Sequence, residues 1–365
     1  MIRYLIYFGG TLAVSAMLIP LIIRISNRHN LHDSVDKRKT HTGKISRLGG
    51  VAVFAAFFPF FVYVCFSHPS LPCNKYLLVG AALLAFLTGF VDDLRRVPAR
   101  WKLLAQIVVA VLVVASGLTI GSVKLNPYVS FKFSVMAYPI TVIWIIAFMN
   151  AVNLIDGMDG LSTGLVFIAN VFVFIVALLS GNTLVAGLSA ILGGSILGFF
   201  LFNFPPAKIF LGDGGAYFIG FVYATIPLMG IKKAAVITVF LIPLILMLVP
   251  ISDVLQVMLH RYRSGKNLFY PDRSHLHHRL MNLGFSTKGI LFVMYVYTVV
   301  LGLSSILMVS VPPEHSMILF SIILLMLILS FFILNTAENV IEQKMLEAKK
   351  LLRSKLAHSA KARRK

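Results

Sequence analysis

The sequence predicts an all-α polytopic membrane protein with about eleven transmembrane helices. Hydrophobic residues make up 58% of the chain and charged residues only 13%, whereas a soluble domain is about half apolar and about a quarter charged. Apolar runs of about twenty residues recur along the chain, which is the length of helix that crosses a bilayer. Basic residues fall between these runs. A bilayer is therefore the expected solvent.

The predicted spans follow one another with short polar connections. The first run has no small-residue cleavage site, so it is expected to be a retained span and not a signal peptide. One run, 76–91, is short for a span, and a three-residue Ser-Gly-Asn linker alone divides the sixth from the seventh. The predicted spans are 3–25, 48–67, 76–91, 103–120, 134–150, 161–180, 184–203, 214–230, 234–256, 289–311 and 316–334.

Lysine and arginine predict the orientation of these spans. They concentrate in segments 26–47, 92–102 and 257–288 and in the tail 335–365. Since basic loops stay in the cytoplasm, the N-terminus is expected outside and the C-terminus inside, which requires an odd number of spans. This bias and anionic lipid headgroups account for the net charge of +20, so no nucleic-acid partner is expected. The tail is expected to form an interfacial amphipathic helix or a solvated one.

The aspartates lie on one side of the predicted membrane. Under this topology, each falls in an inner loop or at the inner end of a span. Aspartate favours loops and caps in general, but that preference does not explain why the outer loops hold none. The simplest interpretation is one acidic site at the cytoplasmic surface, built from several loops. The aspartates are Asp33, Asp36, Asp92, Asp93, Asp156, Asp159, Asp213, Asp253 and Asp272.

Two adjacent carboxylates, Asp92 and Asp93, end the third predicted span. Like charges this close repel each other unless a cation or a proton intervenes. A divalent metal relieves that repulsion, and a hard ion such as Mg²⁺ prefers oxygen ligands. The alternative is a solvated helix end of mixed charge.

A second motif, Asn153-Leu154-Ile155-Asp156-Gly157-Met158-Asp159-Gly160, follows the fifth predicted span. Two aspartates three residues apart, each followed by glycine, predict a tight turn with carboxylates on one side. It is not an EF-hand, because the later ligand positions are missing. Polar residues this dense at a membrane edge favour a functional site over a capped connecting turn.

A third motif runs from Asn203 to Gly215 between the seventh and eighth predicted spans. Its prolines end one span, and its glycines free the backbone before the next. Asp213 stands where it can cap the following helix, or where its carboxylate can hold a phosphate-bound Mg²⁺. Phe210 is placed to stack on a nucleobase or to make an ordinary apolar contact.

The loop 257–288 contains Asp272-Arg273-Ser274-His275-Leu276-His277-His278-Arg279. Arginine can donate two parallel hydrogen bonds to a phosphate, and histidine is a donor whose charge depends on its environment. The run therefore predicts a site for phosphate or sugar. Zinc is the weaker alternative, because no cysteine is near and adjacent histidines do not share a helix face.

A basic segment, 37–50, includes Lys39 and ends in a glycine pair at the start of a span. A basic patch on the membrane surface is a sufficient explanation of the segment by itself.

Together these motifs resemble the polyprenyl-phosphate N-acetylhexosamine-1-phosphate transferases, the family of WecA-, TarO- and MraY-type enzymes. The resemblance runs from about residue 33 to 288 and includes the order of the motifs and their common side. The Ser274-His275-Leu276-His277-His278 run is similar to the WecA/TarO type, which is associated with N-acetylglucosamine. The MraY type has three consecutive histidines after Pro-Leu, which this chain lacks. Arg96 also stands where the MraY type commonly has lysine.

The resemblance implies an Mg²⁺-dependent transfer of N-acetylglucosamine-1-phosphate from UDP-GlcNAc to undecaprenyl or another polyprenyl phosphate, with release of UMP. Mn²⁺ is an alternative ion. The enzyme would lie in the bacterial cytoplasmic membrane, with 1–334 as its catalytic domain, in contact with membrane lipid and as a homodimer. The product would start an envelope polysaccharide, such as lipopolysaccharide O-antigen or teichoic acid. The MraY-type reaction, with a phospho-MurNAc-pentapeptide donor, is the nearest alternative.

The family's site residues carry over onto matching positions of this sequence. The implied metal ligands are Asp213 and Asp156. The implied catalytic residues are Asp92, Asp93, Asp156, Asp159 and Asp213. The implied substrate-binding residues are Lys39, Lys102, Asn153, Asn203, Phe210, Arg273, His275, His277 and His278.

Two other classes of protein have some of the same features. Secondary transporters have intramembrane acids and glycine-broken helices, but their charges lie near the midplane and their halves repeat. Here the carboxylates are expected at one surface, and no inverted repeat is visible. A non-catalytic lipid-binding protein would not need several loops of Asp, His and Arg.

Overall fold

The computed structural model describes residues 1–31, 45–68, 71, 73–124, 130–230, 279–281 and 283–312, with further residues between 315 and 336. Helices dominate these residues, as predicted. One antiparallel hairpin of two three-residue strands, β1 (Ser122–Lys124) and β2 (Ser130–Lys132), is a small departure from the all-α prediction. The helices are α1 (Ile2–Arg28), α2 (Gly49–Ser67), α3 (Lys75–Arg95), α4 (Ala99–Ala115), α5 (Ala137–Ile155), α6 (Leu161–Leu179), α7 (Thr183–Asn203), α8 (Gly212–Met229) and α9 (Thr287–Ser310).

Within the described residues, seven helices are long and apolar enough to cross a membrane: α1, α2, α3, α5 with the 3-10 turn before it, α6, α7 and α9. The chain is therefore a multi-pass membrane protein. Predicted span 234–256 lies outside the described residues, and 316–334 is described only in pieces. The total of about eleven spans and the N-out orientation remain predictions.

The ends of the helices divide into two groups. The turns that join α3 to α4, α5 to α6 and α7 to α8 all contain or adjoin the aspartates. The start of α2 lies beside them, because Gly49 and Gly50 donate backbone hydrogen bonds to Phe210 and Leu211. The start of α1, the end of α2 and the start of α7 lie at the opposite end. We call these the aspartate end and the distal end.

Helix α8 lies at the centre of the bundle. From Gly214 to Met229 every residue is buried, as expected of a helix that is apolar on all sides. Its neighbours are α3, α5 and α2, and the Phe218 ring packs between Phe54, Phe57 and Phe86. The first turn of α8 is thereby held in a fixed position at the aspartate end.

Helices α1 and α7 approach closely through small residues. A Cβ added at Gly194 would lie 2.2 Å from the Phe8 carbonyl oxygen, and one at Gly198 would lie 2.5 Å from the Leu12 oxygen. Thr11 donates across the contact to the Ile191 carbonyl at 3.0 Å. Small residues and interhelical hydrogen bonds are how membrane helices associate without a hydrophobic driving force. This contact fixes α7, whose last residue belongs to the polar cluster at the aspartate end.

Candidate active site

A lysine bridges two carboxylates at the aspartate end. The Lys102 ammonium, from the first turn of α4, lies 2.9 Å from Asp92 Oδ2 and 3.4 Å from Asp213 Oδ2. The Asp92 and Asp213 carboxylates also lie within hydrogen-bond distance of each other. The three side chains are 22%, 12% and 18% exposed for Lys102, Asp92 and Asp213. Partial burial therefore strengthens the electrostatic interactions between these three side chains, and a polar ligand can still reach them.

Asp93 has a different position from its neighbour. Its Oδ1 accepts the Asp213 amide at 2.8 Å and its Oδ2 accepts the Gly214 amide at 2.9 Å. These amides belong to the first turn of α8, where backbone N–H groups lack partners within the helix and negative charge is favourable. Asp93 therefore caps α8 from α3 and sets the position of Asp213.

Two glycines allow α8 to start this close to its neighbours. Gly212 has a φ of 74°, and a Cβ there would lie 2.0 Å from the Arg47 carbonyl oxygen and 2.7 Å from Asp93 Oδ2. A Cβ at Gly89 would lie 2.1 Å from the Asp213 carbonyl oxygen. Any side chain at either position would push α3 and the α8 start apart. The glycines before Asp92 and before Asp213 are therefore part of how the carboxylates meet.

Asp156 lies in the turn after α5, partly buried, and its Oδ1 accepts a short hydrogen bond from the Ser162 hydroxyl. Burial raises the pKa of Asp156 to about 8, and the Asp213 and Asp93 carboxylates add to that rise. The Ser162 bond and the Arg47 guanidinium act in the opposite direction. Asp156 thus belongs to the same electrostatic cluster as Asp213, and the described residues of this cluster have an excess of negative charge.

Asp159 and Asn203 join two of the loops. Asp159 is 7% exposed, and its Oδ2 accepts the Ala207 amide at 3.0 Å. Asn203 is 3% exposed; its Oδ1 accepts from the Gly160 amide and the Thr163 hydroxyl, both at 3.0 Å. The Asn203 amide nitrogen donates to the Ile209 carbonyl at 3.0 Å. Both side chains tie the 156–160 turn to the 203–209 loop, and buried polar groups so engaged hold loop geometry.

A pair of hydrogen-bonded amide side chains lies one helical turn beyond Lys102. Gln106 is 1% exposed and exchanges two hydrogen bonds with Asn150 of α5, at 2.6 Å and 3.4 Å. The Tyr217 hydroxyl, one turn beyond Asp213 on α8, lies within hydrogen-bond distance of Gln106. Lys102 with Gln106, and Asp213 with Tyr217, are i, i+4 pairs, so each pair shares one helix face. This network ties α4, α5 and α8 together beneath the carboxylates.

Two comparisons with known proteins match this arrangement. Residues 75–231, which contain the three aspartate-bearing turns, match the family model described as glycosyl transferase family 4. A protein of Bacillus subtilis (strain 168), named probable undecaprenyl-phosphate N-acetylglucosaminyl 1-phosphate transferase, is 33% identical over 312 residues, covering 85% of this chain and 86% of the relative. The chain belongs to the polyprenyl-phosphate hexosamine-1-phosphate transferase family.

The relatives in this transferase family differ in their named substrates. A decaprenyl-phosphate N-acetylglucosaminephosphotransferase of Mycobacterium tuberculosis (strain ATCC 25618 / H37Rv) is 30% identical over 298 residues, covering 72% of this chain and 71% of the relative. A phospho-N-acetylmuramoyl-pentapeptide-transferase of Staphylococcus carnosus (strain TM300) is 28% identical over 311 residues, covering 80% and 94%. The predicted family is therefore confirmed, and its members include both donor types.

Most of the predicted site residues that lie within the described ranges are close together in the structure. Asp92, Asp93, Asp156, Asp213 and Lys102 form one cluster, and Asp159 and Asn203 support its loops. Asn153, half-buried, lies in the last turn of α5, and Phe210, whose amide donates to the Ser46 carbonyl at 2.8 Å, lies on the α7–α8 loop. The predicted substrate-binding residues Lys39, Arg273, His275, His277 and His278 lie outside the described residues, as do Asp33, Asp36, Asp253 and Asp272.

Sequence reasoning did not assign a role to Arg47, Gln106 or Tyr217. Arg47 was visible only as part of a basic segment, where membrane contact was a sufficient explanation. Gln106 is one polar residue within an apolar span, which is a usable signal, because a buried amide in a membrane helix needs a partner. Tyr217 has the i+4 spacing from Asp213, and that spacing identifies it once α8 is known to be a helix.

Proposed function

We propose that the chain transfers N-acetylglucosamine-1-phosphate from UDP-N-acetylglucosamine to undecaprenyl phosphate, or another polyprenyl phosphate, and releases UMP. One observation carries the proposal: Lys102 joins Asp92 to Asp213 at one end of the helix bundle. A lipid phosphate in the headgroup layer and a soluble nucleotide sugar can both reach such an end. The named activities of the relatives support the same reaction class.

The reaction exchanges one phosphoric anhydride for another. An oxygen of the lipid phosphate attacks the β-phosphorus of the donor, the bond from that phosphorus to the bridging oxygen breaks, and UMP leaves with the electron pair. The lipid phosphate is already ionised near neutral pH, so no general base is required. The main obstacle is repulsion between phosphates, and positioned cations and donors lower the barrier.

Lys102 supplies a fixed positive charge where these phosphates would meet. The Lys102 ammonium already contacts two carboxylates. An incoming phosphate oxygen would therefore bind the ammonium beside these carboxylates or replace one of them. In this proposal Asp92 holds Lys102 in place, and Asp93 acts through Asp213 as a positioning residue. Asp159 and Asn203 hold the loop geometry, and Asn153 and Phe210 contact the donor.

The described carboxylates fit an Mg²⁺ ion, with Asp213 and Asp156 as its ligands. No group of three or more His, Cys, Asp or Glu side chains within the described ranges is arranged to hold a metal. Mg²⁺ in phosphate-transfer sites usually takes one or two carboxylates and completes its shell with water and substrate phosphates, so two aspartates suffice. Burial raises the pKa of Asp156 to about 8, and the neighbouring Asp213 and Asp93 carboxylates add to the rise; a divalent cation offsets negative charge of this kind. When bound, Mg²⁺ or Mn²⁺ would neutralise phosphate charge.

The donor assignment rests on the His275-Leu276-His277-His278 sequence, which resembles the GlcNAc-using type. Lys39 and Arg273 would add to the anion-binding groups. In this proposal the protein lies in the bacterial inner membrane with its aspartate end in the cytoplasm, where nucleotide sugars occur. The product would start an envelope polymer such as O-antigen or teichoic acid. A homodimer and the phospho-MurNAc-pentapeptide donor remain predictions from the family resemblance.

A donor panel tests this function. Purified protein in lipid is incubated with undecaprenyl phosphate, Mg²⁺ and one donor at a time: UDP-GlcNAc, UDP-GalNAc or UDP-MurNAc-pentapeptide. We expect UMP and a GlcNAc-pyrophosphate lipid from the first donor, and at least tenfold slower release from the others, a difference of about 1.4 kcal/mol in the barrier. Preference for the pentapeptide donor would assign the MraY-type reaction. Donor movement across sealed vesicles without UMP formation would favour a transporter.

A further inference from the structure

A cavity of about 510 Å³ opens at the distal end of the bundle, away from the aspartates. It lies where the first turns of α1 and α7 meet the last turns of α2. Its volume is within the range of small-molecule sites. Helix α7 connects the two ends and has 21 residues, so the cavity lies about 30 Å from the aspartate end at 1.5 Å per residue. It is therefore separate from the proposed reaction site.

Each of the three helices contributes residues one turn apart to the cavity. Arg3 and Tyr7 come from α1, Tyr63 and Ser67 from α2, and Thr183 and Gly187 from α7. Such i, i+4 pairs lie on one helix face, so three faces converge on one space. Gly187 lies beside the Tyr7 ring, because an added Cβ there would be in ordinary van der Waals contact with it, 3.8 Å from Tyr7 Cε2. The cavity is thus formed by helix packing and not by one irregular loop.

The chemistry of the lining favours an anion. Arg3 supplies a guanidinium, and tyrosine, serine and threonine supply hydroxyl donors, while Asp and Glu do not occur among the described residues that line the cavity. Arginine binds phosphate in a bidentate manner, and tyrosine suits the membrane interface because one end is apolar and the other wet. An ordinary aromatic belt would have the same residue types, but on a convex surface. Here they line a concave space that is open on one side.

The surroundings of the cavity favour a lipid as the source of that anion. On α1, beside Arg3, the side chains of Ile2, Leu5 and Ile6 are 76%, 65% and 61% exposed. In a membrane-spanning helix such side chains face acyl chains. A ligand with a charged head and apolar tails would satisfy both the lining and these neighbours. We propose that the distal cavity binds the phosphate headgroup of an anionic phospholipid.

Native mass spectrometry of the detergent-solubilised protein tests this site. Phosphatidylglycerol and phosphatidylcholine with identical acyl chains are added separately, and retained lipid is counted. We expect Arg3→Gln to lower phosphatidylglycerol retention about tenfold, since a charge-assisted hydrogen bond is lost. Lys132→Gln is the matched control, because Lys132 is an exposed cation at the same end and should leave retention unchanged. Gly187→Leu, which fills the cavity, should also lower retention. UMP release should remain at the wild-type rate in Arg3→Gln.

Three results would overturn the proposal. The first is equal retention of phosphatidylglycerol by the wild type and by Arg3→Gln. The second is equal retention of both lipids by the wild type, since the headgroup charge would then be irrelevant. The third is displacement of phosphatidylglycerol by millimolar inorganic phosphate, which would assign the cavity to a soluble anion. Melting temperatures of the variants identify any loss that is due to unfolding.

Discussion

Asp93 accepts the backbone amide of Asp213 at 2.8 Å, so one aspartate of the Asp92-Asp93 pair fixes the helix that carries another. Its second oxygen accepts the Gly214 amide at 2.9 Å. Asp92, next in sequence, instead faces Lys102. Adjacent carboxylates therefore have separate tasks, and their substitutions should have separable effects.

Asp93→Asn should destabilise the protein. Asparagine keeps one acceptor oxygen but presents an NH₂ group to the second backbone amide, so one buried N–H loses its partner. We expect a loss of about 1–3 kcal/mol in the free energy of unfolding, measured by thermal or detergent-induced unfolding. Asp92→Asn is the matched control: its Oδ1 can still accept the Val97 amide, 2.6 Å away, and only a partly exposed ion pair is lost. Equal destabilisation by both variants would contradict the capping role.

Lys102→Met should abolish most of the activity. The change leaves Asp92 and Asp213 facing each other without a cation and removes positive charge from the position where phosphates meet. Losing one electrostatic contact of this kind commonly costs about 10²–10³ in kcat. Lys208→Met is the control, because Lys208 is exposed on the α7–α8 loop at the same end. UMP release within a few-fold of wild type in Lys102→Met would rule out the role given to this lysine.

Asn203→Leu should act mainly on stability. The substitution removes the acceptor for Gly160 and Thr163 and the donor to Ile209. Several buried groups lose partners at about 1–3 kcal/mol each, so unfolding should become easier by several kcal/mol. Thr163→Val, which removes one of the three bonds, should cost less. A normal melting temperature combined with a raised KM for the nucleotide sugar would show instead that Asn203 contacts the donor.

Gln106→Leu and Asn150→Leu should show strong coupling. Each single change breaks both hydrogen bonds of the pair and leaves the other amide without this partner, whereas the double change removes both amides. The double variant should therefore be destabilised by less than the sum of the singles, with a coupling energy of about 0.5–3 kcal/mol. Unfolding free energies of the four proteins in the cycle provide the measurement. Additive effects would show that the amide pair does not act as a unit.

The sequence predicted the membrane fold because span length and charge bias are strong signals. Boundaries were less accurate where local chemistry shifts a helix end. The fourth span was predicted at 103–120, but α4 covers Ala99–Ala115. Pro98, at its N-cap, permits an earlier start, and Gly117, with φ of 99°, adopts a backbone conformation incompatible with a continuing helix. The β1–β2 hairpin has too few residues to give a visible strand pattern.

The sequence predicted which residues form the candidate site better than it predicted the role of each residue. Asp92, Asp93, Asp156 and Asp213 were identified because aspartates and glycines at span ends are visible in a sequence, and Lys102 was identified only through the family resemblance. The different roles of Asp92 and Asp93 were not predicted, because they depend on where α8 starts in three dimensions. Asn203 was expected to contact substrate, yet its side-chain atoms bond to Gly160, Thr163 and Ile209. Such pairings between distant segments follow from packing and have no local sequence signal.

In the proposed function, the Asp92–Lys102–Asp213 cluster carries out phosphosugar transfer to a lipid phosphate. The most direct measurement is UMP release from UDP-GlcNAc by wild type, Asp92→Asn and Asp213→Asn, with undecaprenyl phosphate and Mg²⁺ each present or omitted. We expect release that requires both additions in wild type and falls by about 10²-fold or more in each variant, with melting temperatures near wild type. Release independent of the lipid, or near-normal turnover in both variants, would contradict the account.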